Sequence, residues 1–72
     1  MTRAEVSKKV AAYYSKKFGG VVRCEFDSSK RKYEIQGDRL TPAPELASIY
    51  VNGWSLLDYI EPSRARAIAE GF

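Results

Sequence analysis

Catalysis needs a side chain that can move a proton or attack an electrophile, and these 72 residues offer few. There is no histidine, so the commonest general base is missing and no Ser-His or Cys-His pair can form. The single cysteine, Cys24, sits where Val22, Cys24 and Phe26 alternate with Arg23 and Glu25. That pattern predicts an inert strand residue facing a core. One cysteine closes no intrachain disulfide, and without histidine it assembles no zinc site. Gly19-Gly20 lacks the spacing and the following Lys-Ser/Thr of a phosphate loop, and the carboxylates are scattered. The chemistry-bearing residues point to a non-catalytic protein without cofactor or metal.

What remains is the chemistry of adhesion. Lys30, Arg31 and Lys32 cluster where a hairpin tip is expected, and Lys8, Lys9 and Lys16 add a second basic strip. Such cations can contact phosphates or an acidic protein surface. The charge is uneven: residues 1–36 hold nine Lys/Arg against four Asp/Glu, and residues 37–72 hold three against five. Aromatic rings are many for so small a chain. Tyr50, Trp54 and Tyr59 are the candidate anchors, because tyrosine and tryptophan bury large area while keeping a polar handle.

The elements that must carry these groups can be read from periodicity and punctuation. Residues 2–18 form a helix: Thr2 and Glu5 make a capping box, Val6, Val10, Tyr13, Tyr14 and Phe18 share a side, and Gly19-Gly20 ends it. Glu5 stands four residues before Lys9, the favourable order for an ion pair. Two strands follow at 21–26 and 32–36. Charge favours a register with Cys24 opposite Tyr33 and Glu25 opposite Lys32, because a shift by two would set Glu25 against Glu34. An isolated hairpin is marginal, so a short third strand at Arg39, Leu40 and Thr41, or a second copy of the chain, is wanted.

Residues 41–60 hold two conflicting signals. Leu46, Ile49, Tyr50, Leu57 and Ile60 repeat at helical spacing, whereas Asn52-Gly53 between two apolar runs signals a hairpin. The reading adopted is a first helix opened by Pro42 and Pro44 and ended at Gly53, then a short one capped by Ser55 with Asp58 as its acidic partner. A helix-turn-helix is rejected here: Val51 stands four residues after Ala47, where that motif wants glycine, and LLDYIE is too acidic and apolar for a major groove. Pro62 and Gly71 frame a last helix of about two turns, whose alanines predict light packing with Arg64 and Arg66 exposed.

The expectation is a small single α+β domain. An N-terminal helix and an antiparallel hairpin, with an optional third short strand, precede two or three short C-terminal helices on one face of the sheet. A core this small supplies at most about 3–5 kcal/mol, which favours a partner or a homodimer. No apolar run reaches the roughly 18 residues of a membrane span, and no signal peptide opens the sequence. With an unpaired cysteine, this points to the cytoplasm. The function expected is a small binding module that docks on a larger protein with an acidic surface and modulates it, as an inhibitor or adaptor, phage-borne proteins being one source of such chains. The alternative is a basic DNA- or RNA-binding protein using the hairpin tip and first helix.

Overall fold

A computed structural model of the protein describes residues 1–38 and 53–71. Within them the order is α1 (Arg3–Phe18), β1 (Val22–Asp27), β2 (Lys32–Asp38), β3 (Trp54–Ile60) and α2 (Pro62–Gly71). The three strands form one antiparallel sheet in the order β1-β2-β3. The fold is α+β.

The first helix begins and ends as its sequence dictates. The Glu5 amide donates to Thr2 Oγ1 at 3.2 Å, and the Thr2 amide donates to Glu5 Oε1 at 3.2 Å, closing the capping box. Gly19 adopts φ +73, and its amide donates to the Ser15 carbonyl at 2.8 Å. Glu5 is thus occupied by the cap, and Lys9 acts on it only at electrostatic range. Val6, Val10 and Tyr14 are buried, with Tyr13 and Phe18 packed at the margin.

These side chains meet Cys24 of β1, Tyr33 and Ile35 of β2, Leu57 and Ile60 of β3, and Ala65 and Ala69 of α2 in a single core cluster. Both helices therefore cover one face of the sheet. The last helix packs more closely than its sequence suggests. Ala65 and Ala69 are wholly buried, and the missing side-chain bulk lets α2 approach α1.

The structure corrects the expected register. Phe26 pairs with Tyr33, Cys24 with Ile35 and Glu25 with Glu34, the arrangement that charge alone disfavoured. Two things outweigh one like-charge pair. Phe26 and Tyr33 make an edge-to-face contact with ring centroids 5.1 Å apart, a geometry that adds about 0.5–1.5 kcal/mol to area burial. In addition, Glu34 accepts hydrogen bonds from Tyr59 and Gln36, both at 3.0 Å, and Glu25 lies 3.9 Å from Arg23. The neighbouring charge is thereby dispersed.

The second correction is β3. Residues 54–60 are a strand, not a short helix capped by Ser55, so among the described residues one helix follows the sheet. The expected strand at Arg39–Thr41 and the helix from Pro42 to Gly53 lie mostly in residues 39–52, outside the described residues. Gly53 itself has φ +82. In β3 the pairing jumps from Ile35↔Asp58 to Gln36↔Leu56, leaving Leu57 as the extra residue of a β-bulge. The bulge puts Ser55, Leu57 and Ile60 among the buried residues.

Candidate functional site

Alternation along the strands sends one set of side chains into the core and the other to the opposite face of the sheet. The registers align Arg23, Gln36 and Leu56 in one row and Glu25, Glu34 and Tyr59 in the next, with Asp38 and Trp54 beyond. The bulge at Leu57 keeps Trp54 and Tyr59 on that same face although five positions separate them. Both rings are half-buried.

One chain of contacts crosses this face. The Lys30 ammonium donates to the Tyr59 hydroxyl at 2.9 Å and lies 4.4 Å from its ring centroid. The Tyr59 hydroxyl donates to Glu34 Oε1, and Gln36 Nε2 donates to Glu34 Oε2. Arg23 Nε donates to Gln36 Oε1, and the Arg23 guanidinium sits 4.2 Å from the centroid of Trp54. Each aromatic ring of the face carries a cation against it. The bond to Tyr59 raises the Lys30 pKa.

The sequence-derived site residues are thus partly brought together. Trp54, Tyr59 and Lys30 share the outer face of the sheet, while Tyr50 lies outside the described residues. Lys32 pairs with Glu61 at 3.4 Å. Arg31 occupies the turn with φ +54, a left-handed conformation uncommon for a non-glycine residue. The Asp27 carboxylate holds that turn, accepting from the Ser29 amide at 3.0 Å and the Lys30 amide at 3.3 Å. The Ser29 hydroxyl leads in holding the Asp27 pKa below its ordinary value.

Lys8, Lys9 and Lys16 do not join this surface. They are exposed on α1, in the helical layer on the other side of the sheet. Lys16 lies thirteen residues beyond Arg3, about 20 Å along the axis. The six basic positions therefore form no single patch. Arg23, Glu34 and Gln36, which lock the aromatic face, were not singled out from sequence. Their alternation marked them as outward-facing, but their partners on β3 were hidden while that strand read as helix.

Among the described residues, burial raises the pKa of two core groups. Burial pushes the Cys24 thiol up to about 11, so it stays protonated at neutral pH. Burial, reinforced by Asp58, raises the Tyr14 phenol, whose hydroxyl donates to Asp58 Oδ2 at 3.3 Å. Among the described residues no three His, Cys, Asp or Glu side chains gather to hold a metal, and no helix is long and apolar enough to cross a membrane. Comparison with protein-family models, curated proteins and solved structures gave no match.

Proposed function

We propose that the protein is a non-catalytic binding module that docks on a larger protein through the sheet face opposite its helices and modulates that partner as an inhibitor or adaptor. The observation that carries this reading is the pair Trp54 and Tyr59, each held against a cation on one face. A cation–π contact at such a site contributes about 0.5–1 kcal/mol. Its larger effect is to fix the ring before binding, which removes part of the roughly 0.5–1.5 kcal/mol that ordering each interface side chain costs. Arg23 and Lys30, set beside the rings, suit an acidic rim on the partner.

The test is affinity capture from cells of the source organism with the wild-type chain, Trp54→Ala and Tyr59→Ala, each verified as folded by circular dichroism. A partner retained by wild type and lost by both folded variants supports the reading. Equal retention by all three removes the sheet face from the interface. Recovery of nucleic acid alone, released steeply between low and moderate salt, would favour the nucleic-acid alternative instead.

A further inference from the structure

A second surface lies on the helical side, where the first turn of α1 and the outer side of α2 border a groove of about 590 Å³. This lies within the range of ligand pockets, about 300–1,000 Å³. Its lining is apolar at Val6, Tyr33 and Ala67, with Met1 exposed beside them. Its charged lining residues are Arg3, Arg66 and Glu70.

The two arginines are available. Among the described residues the ion pairs are Arg23 with Glu25 and Lys32 with Glu61, and neither includes Arg3 or Arg66. Three other acids are committed elsewhere, Glu5 to the capping box, Asp27 to the turn and Glu61 to Lys32, which leaves Glu70, four residues beyond Arg66, as the carboxylate of the groove. Arg3 is also oriented, its guanidinium 4.6 Å from the centroid of the Phe26 ring. A planar guanidinium suits a carboxylate in two-pronged fashion.

We propose that this groove binds a short acidic segment of a partner protein, with a carboxylate taken by Arg3 and Arg66 and a neighbouring aliphatic side chain laid on the exposed Met1 and Ala67 above buried Val6 and Tyr33. Charge selects that occupant: two cations and one carboxylate on an apolar floor fit a peptide better than a phosphate backbone, which needs a run of cations. Glu70 is then an opposing charge that weakens binding. The site is separate from the Trp54 and Tyr59 face and does not depend on it.

The experiment titrates the 15N-labelled full chain with a blocked tetrapeptide, Asp-Leu-Glu-Leu, and with its Asn-Leu-Gln-Leu counterpart, following amide shifts. The acidic peptide should shift residues 3–6 and 63–67 in the millimolar range, and the amide peptide should bind about tenfold more weakly, as loss of one charged hydrogen-bonded pair implies. Arg66→Gln should lose a similar factor, Arg66→Lys less, and Glu70→Gln should tighten binding, while Trp54→Ala leaves the titration unchanged. Equal binding of both peptides, shifts confined to the sheet face, or no shifts at 10 mM peptide would each overturn the proposal. So would a 20-base-pair RNA duplex shifting the same residues at lower concentration, which would assign them to phosphate contacts.

Discussion

The register of the first hairpin can be tested in solution, because the alternatives assign Phe26 different neighbours. In the structure its ring meets Tyr33 edge-on at 5.1 Å; in the charge-favoured register it would stand opposite Arg31. The perturbations are Phe26→Leu, Tyr33→Leu and the double change. Each single substitution trims a packed ring to a smaller apolar group and should cost roughly 1–2 kcal/mol. Phe26→Leu also loses the Arg3 contact, but that loss occurs with and without Tyr33 and cancels in the cycle. The aromatic pair contributes about 0.5–1.5 kcal/mol beyond area. The double variant should therefore fall short of the sum of the singles by about 1 kcal/mol. Against the roughly 3–5 kcal/mol that a core of this size supplies, losses of this order leave the variants measurable at low temperature. Urea unfolding at low temperature, followed by circular dichroism, supplies the numbers. Additivity within about 0.3 kcal/mol would refute the observed register, since residues out of contact behave that way. A parallel cycle, Glu25→Gln with Lys32→Gln, should show no coupling, whereas the other register requires about 0.2–1 kcal/mol.

Cys24 should resist a disulfide reagent at pH 8 in the folded protein and react rapidly in urea, reflecting its pKa of about 11. Because the folded value lies above the ordinary 9.0, the stability linked to this thiol is complete below pH 9 and is lost as pH rises toward 11, a decline that Cys24→Ala should abolish. Thr2→Ala should cost about 1 kcal/mol at neutral pH through loss of the cap. The Glu5 pKa is lowered chiefly by the Thr2 amide, so its share of stability persists above the ordinary glutamate value and vanishes as pH falls through the lowered one. Glu5→Gln should therefore abolish this pH dependence in acid unfolding curves, whereas Thr2→Ala, which keeps the amide at position 2, should leave most of it. Ala69→Leu, at a wholly buried position, should lower stability by about 1–3 kcal/mol, with Tm falling roughly 4–8 °C per kcal/mol, whereas exposed Ala67→Leu should be nearly neutral in thermal melts.

Where local chemistry decides an element, the sequence is legible. Thr2 with Glu5, Gly19, and the frame of Pro62 and Gly71 each settle an end through hydrogen bonds or backbone preference that need nothing distant. The outer strand β3 was not legible, and the bulge is the reason. An extra residue at Leu57 changes the spacing of buried positions from two to three, so Leu57 and Ile60 mimic a helical face. The competing Asn52-Gly53 signal stood immediately before that strand. The register error followed from the same omission, because the groups that relieve Glu34 include Tyr59, which could not be placed beside it without β3. Of the aromatic face, the rings were legible and the cations against them only in part. Lys30 was marked by its basic cluster, while Arg23 reaches Trp54 across the central strand, a relation visible only in three dimensions.

The groove bordered by both Met1 and Glu70 has a topological meaning. Those residues lie 69 positions apart yet line one cleft, so the covalent path nearly forms a ring. A short linker joining them, with the chain reopened within residues 28–31, would give the order β2-β3-α2-α1-β1 without moving an atom of the core. Strands now joined by a four-residue turn, β1 and β2, would then lie at opposite ends of the chain. Closure entropy grows only logarithmically with loop length, so such a permutant would keep most of its stability. Its folding would slow, because the sheet would wait for its two most distant segments to meet.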